Sequence, residues 1–222
     1  MISSLRTLAA ARNKGHNSLP ATMDPRRPPE YTLELFAEPS CVKDIVKACL
    51  HVIFFHRYFI PITPLTRDLF DQTLPQIDDS ELETLIEQRA TQLVRYVEAP
   101  NSHSPYNTSS NPAAGRAQIL VQFFEKKRKK SYFFTKGGDE TVCWEQWVLN
   151  ITCATPKNER EKRQVRQAME KSLSKTCLKI INIVNKEKDH IPPITEADTN
   201  PFPYQIVVNP KTEGWGTRMG IF

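Results

Sequence analysis

Apolar and polar positions change period several times along the chain, and each change marks an element. Residues 31–36 alternate, with Tyr31, Leu33 and Leu35 on one face and Thr32, Glu34 and Phe36 on the other, which predicts a strand. Pro39 and Ser40 then open a helix that runs to Arg57, with Ser40 as its N-cap and Asp44 in its early turns. Ile45, Val46, Cys49, Leu50, Val52, Ile53, Phe54 and Phe55 make that helix apolar nearly all round, as expected of the central buried helix of a domain. Residues 60–77 contain three prolines and read as irregular chain or short edge strands. Asp78, Asp79, Ser80 and Glu81 begin a second helix, with acids placed to suit its dipole; Leu82, Leu85, Ile86, Leu93 and Val97 follow at helical spacing.

Residues 100–115 are polar and carry three prolines, which predicts a mobile surface loop. Two strands come next, over 117–124 and 142–154. In the second, Trp147, Leu149, Ile151 and Cys153 point inward and Val148, Asn150 and Thr152 outward. After Pro156 a long helix reaches about Lys188, with Val165, Met169, Leu173, Cys177, Ile180, Ile181 and Val184 as its buried stripe and Arg and Lys on the other face. A short strand at 204–208 closes the series, and no internal repeat is present. This order predicts an α+β domain over residues 30–208, an antiparallel sheet with helices packed on one face. Residues 1–29 form an N-terminal extension, and 209–222 a C-terminal tail.

Composition narrows the chemistry. Only 7 glycines occur, and neither G-x-G-x-x-G nor G-x-x-x-x-G-K-[ST] can be written anywhere, so the usual phosphate cradles are excluded. The nucleophile elbow G-x-S-x-G is missing as well. Thirty basic and 25 acidic residues give a net charge of +5, which permits an anionic partner without demanding one. The 5 cysteines are odd in number and lack C-x-x-C spacing, pointing to buried thiols in a reducing compartment. Before Met23 the chain is basic, serine-bearing and free of acids. It reads as an unstructured extension, a start upstream of the natural initiator Met23, or a targeting segment.

The candidate catalytic groups do not converge. His51 and His56 share a helix but diverge around its axis, and no H-E-x-x-H exists, so no metal site is expected. Asp78–Asp79 and Asp139–Glu140 read as a helix cap and a turn, and Cys49 and Cys177 sit on apolar faces where a thiol is inert. No enzyme and no cofactor are expected. Lys126, Lys127, Arg128, Lys129 and Lys130 form the densest charge cluster. They either bind phosphate, on nucleic acid or on an anionic membrane, or are a solvated strand end. Tyr132, Phe133 and Phe134 follow in the same loop, beside Gly137 and Gly138. These aromatics either tuck into the core or protrude as an interaction anchor.

Four segments together resemble one family: V-Q-F-F-E-K-K-R-K-K-S-Y-F-F at 121–134, W-E-Q-W-V-L-N-I at 144–151, E-K-S-L-S-K-T-C-L-K-I-I-N-I-V-N-K-E-K-D-H-I-P-P at 170–193, and L-H-V-I-F-F-H-R at 50–57. They are similar to the autophagy-related protein 101 family, HORMA-domain subunits of the autophagy-initiating kinase complex, and to its fungal type. The resemblance spans about residues 31–204. It implies a HORMA-like domain and a non-enzymatic adaptor that pairs with the HORMA domain of autophagy-related protein 13 and stabilises it. It also implies recruitment of later factors to the phagophore assembly site through a protruding Trp-Pro-Phe finger. Tyr132, Phe133 and Phe134 stand at the finger's position, so the aromatic character is kept while the tryptophan and proline are replaced. The end of the first helix, His56 and Arg57, is the expected pairing surface. The rearranging C-terminal belt of the wider HORMA family is not expected.

Overall fold

The computed structural model describes residues 27–98, 115–128, 139–194 and 199–210. Ten elements follow in chain order: β1 (Glu30–Ala37), a 3-10 turn (Pro39–Cys41), α1 (Val42–Arg57), β2 (Pro64–Leu69), β3 (Gln72–Ile77), α2 (Ser80–Glu98), β4 (Arg116–Arg128), β5 (Asp139–Cys153), α3 (Glu159–Lys186) and β6 (Tyr204–Val208). Four strands form one sheet in the order β1-β5-β4-β6, and β2 and β3 form a separate hairpin. The three helices pack against this sheet, giving the expected α+β, HORMA-like architecture. Three strands of the sheet run antiparallel to their neighbours, while β1 lies parallel to β5 with Leu33 opposite Leu149.

The core lies between the sheet and α1. Leu33, Leu35, Trp147, Leu149, Ile151, Ile119, Val121 and Phe123 come from the strands, and α1 buries Ile45, Val46, Leu50, Ile53 and Phe54 against them. As its apolar circumference predicts, α1 is central, with α2 on one flank and α3 on the other. The other face of the sheet is polar and amide-rich. Gln205 donates to Gln122 (2.6 Å), Gln122 to Gln146 (3.2 Å) and Gln146 to Glu30 (2.7 Å), a row across all four strands. A second row runs from Gln118 through Asn150 to Glu34. Between the rows Leu120 and Val148 face each other and are buried, so cross-strand amides and one apolar pair together fix the register on this face.

The parallel strand β1 is a sheet edge, and α3 closes it. Four backbone groups along and just past β1 that point away from β5 meet α3 side chains in sequence. Glu38 N donates to Met169 Sδ (3.0 Å), Phe36 N to Ser172 Oγ (3.0 Å), and the carbonyls of Glu34 and Thr32 accept from Thr176 (2.9 Å) and Lys179 (2.6 Å). One helical turn advances about 5.4 Å per rung and two strand residues about 6.6 Å, so the two rows drift apart toward their ends. Short Ser172 and Thr176 serve the middle rungs, and the long Met169 and Lys179 reach the outer ones.

Several expectations are corrected. Ser40 is not an N-cap: it lies in the 3-10 turn, α1 starts one residue later behind Cys41, and no side chain caps it. Of the two readings of residues 60–77, short edge strands is the one found, with a two-residue turn at Phe70 and Asp71 joining β2 to β3. Phe70 sits in the left-handed region (φ 55°), unusual for a bulky residue, with the Arg166 guanidinium 5.7 Å over its ring. Ile181 is 38 % exposed and stands outside the buried stripe of α3. Asp139 and Glu140 begin β5 rather than forming a turn.

Candidate functional site

Catalytic chemistry has little to work with among the described residues. No group of three His, Cys, Asp or Glu side chains could hold a metal there. Burial pushes the Cys143 and Cys153 thiols up to about 11, and Cys49, fully buried beside Cys177, is raised by its hydrogen bond to that thiol and by burial. Thiols of this kind are poor nucleophiles.

The densest buried polar group is structural. Glu145 is 0 % exposed and accepts from Arg57 Nε at 2.9 and 3.0 Å, from the Trp147 indole N–H at 2.6 Å and from His190 Nε2 at 2.7 Å. Burial alone would raise its pKa; the hydrogen bonds from His190 and Arg57, with the Arg57 charge, hold it below the usual carboxylate value. Arg57 also donates to the Glu187 carbonyl (3.2 Å), so this cluster ties the end of α1, β5 and the chain after α3 together. A β-bulge makes it possible. Phe123 pairs with Glu145 but Phe124 with Cys143, leaving Trp144 as an extra residue in β5. Strict alternation would put Trp144 and Trp147 on opposite faces, yet both are buried. The sequence signal for this was an acid between two tryptophans in an inward-facing strand.

A second ionic group holds α2 to α1. Lys47 Nζ meets Glu83 (2.8 Å) and Glu87 (2.7 Å), His51 Nε2 meets Glu83 (2.7 Å), and Lys43 pairs with Glu87. Hydrogen bonds from Lys43 and Lys47 bring Glu87 down to about 2. Burial lowers His51, against the opposing pull of Glu83.

The expected pairing residues part company at the end of α1. Arg57 is 2 % exposed and fully engaged with Glu145, so its guanidinium presents nothing to a partner; His56 is half-buried, and burial together with the Arg57 charge lowers its pKa. The basic cluster is partly strand. β4 continues through Lys126 and Lys127 to Arg128, whose register partners on β5 are Thr141, Glu140 and Asp139. Lys127 also pairs with Glu125 at 3.1 Å. Lys127, opposite Glu140 and paired with Glu125, has less field to offer a phosphate than a solvated lysine would. Lys129, Lys130 and the aromatic triplet Tyr132, Phe133 and Phe134 lie outside the described residues, as do residues 1–26, 99–114 and 211–222. The ribbon leading toward the triplet runs past both its neighbours, since β6 stops opposite Phe123 and β1 starts opposite Gln146.

An open apolar surface that sequence reasoning missed lies on α3. Leu178 is 58 % and Ile181 38 % exposed, beside an open groove of about 650 Å³ whose lining includes Lys171, Lys175, Leu178, Ile183, Lys186 and Glu187. From Lys171 to Lys186 the helix carries four lysines and no acid. Exposed apolar groups among lysines, with Glu187 the one acid in the groove's lining, suit a protein surface with complementary acids.

Comparison with known proteins follows the same line. A sequence model of the family described as autophagy-related protein 101 matches residues 34–198. The chain is 32 % identical over 189 residues to autophagy-related protein 101 of Schizosaccharomyces pombe, covering 85 % of this chain and 91 % of that protein. It is 29 % identical over 196 residues to the Arabidopsis thaliana protein of the same name, covering 79 % and 84 %. To the Xenopus tropicalis protein it is 23 % identical over 189 residues, covering 78 % and 85 %.

Proposed function

The chain belongs to the autophagy-related protein 101 family and has an autophagy-related role; from that premise we propose that it is a non-enzymatic adaptor of the autophagy-initiating kinase complex. It pairs with the HORMA domain of autophagy-related protein 13, stabilises it, and recruits later factors to the phagophore assembly site. The observation that carries this reading is the outward face of α3, where Leu178 and Ile181 stand exposed among lysines without an acid between Lys171 and Lys186. A surface of that composition is costly in an isolated chain and useful to one that works in a pair. On this reading α3, rather than His56 and Arg57 at the end of α1, is the pairing surface. The β4–β5 ribbon, extending beyond its neighbours, supplies the rigid base that a recruiting finger at Tyr132, Phe133 and Phe134 needs. Among the described residues no helix is long and apolar enough to cross a membrane, in keeping with recruitment through protein contacts.

Co-purification with the autophagy-related protein 13 HORMA domain tests the reading. The natural chain should elute with it as a one-to-one complex, and Leu178→Asp with Ile181→Asp should elute apart while keeping its circular dichroism spectrum. A doubly substituted chain that still pairs places the surface elsewhere, and a natural chain that never pairs ends the proposal.

A further inference from the structure

The long helix α3 is held in two different ways along its length. Its buried side chains begin at Met169, and none of residues 159–168 is buried. The last rung to the sheet edge is Glu38 N on Met169 Sδ, just past the end of β1 at Ala37. The first part of the helix, about 15 Å, is therefore an arm that reaches beyond the sheet. A helix without a buried face needs other support. Here the Asn158 side chain accepts from Glu161 N (2.9 Å) while Glu161 accepts from Lys157 N (2.7 Å), a reciprocal cap. Lys162 pairs with Glu159 (2.7 Å), Arg166 with Glu170 (3.0 Å), and Arg166 also lies over Phe70 at the hairpin turn.

That support engages every acid of α3 and leaves cations over. Arg160, Arg163 and Lys171 are exposed and have no hydrogen-bond or ion-pair partner among the described residues. With Gln164 and Gln167 they recur three and four residues apart, so they share the face turned away from Met169 and Leu173. Val165 is the one large apolar side chain of the arm, and it is half-buried, so the arm offers no anchor of the kind protein interfaces use. Its row of cations on an uncovered helix matches a flat anionic layer instead. We propose that the arm of α3 is a peripheral membrane site, on which Arg160 and Arg163, with Lys171 behind them, hold the phosphates of an anionic lipid surface without inserting into it. Leu178 and Ile181 follow eighteen residues after Arg160 and Arg163, about 27 Å along the axis, so pairing and adsorption use different stretches of the helix. The β4–β5 ribbon leaves the sheet at the opposite end, since Ala37 and Cys153 lie in register near the arm and Asp139 lies at the far end of β5. A chain adsorbed by the arm holds its ribbon at the end away from the lipid.

The test is co-sedimentation of the full chain, without any partner protein, with vesicles of phosphatidylcholine containing about 30 mol % phosphatidylserine at about 50 mM salt. The natural chain should pellet with them and not with phosphatidylcholine alone, and about 200 mM salt should release most of it. Each cation near such a surface changes partition about fivefold, so Arg160→Gln with Arg163→Gln should lower it about thirtyfold. Arg160→Lys with Arg163→Lys should bind as the natural chain does, because a lipid surface reads charge and not the guanidinium fork. Lys126→Gln with Lys127→Gln removes the same charge from the ribbon and should leave partition unchanged. No sedimentation with the phosphatidylserine vesicles overturns the proposal, as does equal binding to phosphatidylcholine alone. A double glutamine variant that partitions like the natural chain removes the arm from the site, and an equal loss in the ribbon variant means that total charge alone acts. Loss in the lysine variant means a guanidinium-specific contact rather than adsorption. Polyuridylate or polyglutamate that binds the arm more tightly than the vesicles do assigns it to a macromolecule and ends the membrane reading.

Discussion

Glu145 is held ionised with no exposure because three donors, from Arg57, Trp147 and His190, share its two oxygens. Neutralising it leaves the Arg57 cation buried without a counter-charge, which costs about 3–5 kcal/mol. Glu145→Gln should therefore lower the stability measured by urea unfolding by that much, far more than Glu159→Gln, whose carboxylate is exposed. The pH sense follows from the direction of the shift. The Glu145 pKa lies below its ordinary 4.5 in the folded chain, so its contribution is complete above about 4.5 and is lost as pH falls below it. His51 acts earlier. Burial lowers its pKa from 6.5, with Lys47 and Arg67 also disfavouring the cation and Glu83 opposing them, so on acidification the unfolded chain takes up a proton first. Its contribution is complete above about pH 6.5 and declines as pH drops toward the folded value. Melting temperature should fall between pH 7 and 5, and His51→Gln should flatten that slope; an unchanged slope assigns it to other groups, such as His56, which is shifted the same way.

Among elements, α3 does two jobs at once, core helix and edge seal. Thr176 hydroxyl donates to the Glu34 carbonyl at 2.9 Å within a nearly closed contact. Thr176→Val keeps the shape and removes that bond, so urea unfolding should show a loss of about 1–2 kcal/mol. The apolar stripe of α3 was legible in sequence because Met169, Leu173, Cys177, Ile180 and Val184 repeat at 3.6 residues. Its sealing row was not, because Ser172, Thr176 and Lys179 read as ordinary polar surface until a strand lies beside them. β6 was legible to the residue, and β1 nearly so. The β5 bulge was not, since one extra residue at Trp144 breaks the two-residue period on which any reading of that strand depends. The extension of β4 through Lys126, Lys127 and Arg128 escaped for a related reason: a charge run reads as loop, and only cross-strand acids make it a comfortable strand.

At the scale of the whole molecule, the family was legible because its long similar segments fall on α1, β4, β5 and α3, the central helix, the paired strands and the helix that seals the edge. The site was less so, since exposure of Leu178 and Ile181 depends on what packs where, not on their type. On the proposed reading the aromatic triplet serves recruitment rather than packing. Tyr132, Phe133 and Phe134 changed together to Ala should leave the melting temperature unchanged and reduce capture of downstream autophagy factors; a melt several degrees lower would mean those aromatics fill the core. The seal on β1 has one more consequence. Edge-to-edge aggregation needs a template at both ends of every unit, so that each added molecule offers a fresh site to the next. Of the two edges of the four-stranded sheet, only β6 lacks a helix bonded alongside it among the described residues. Two molecules joined at that edge would present a β1 seal at either end of an eight-stranded sheet. Growth by this route therefore stops at a pair, and α3 acts as a chain terminator against fibre formation.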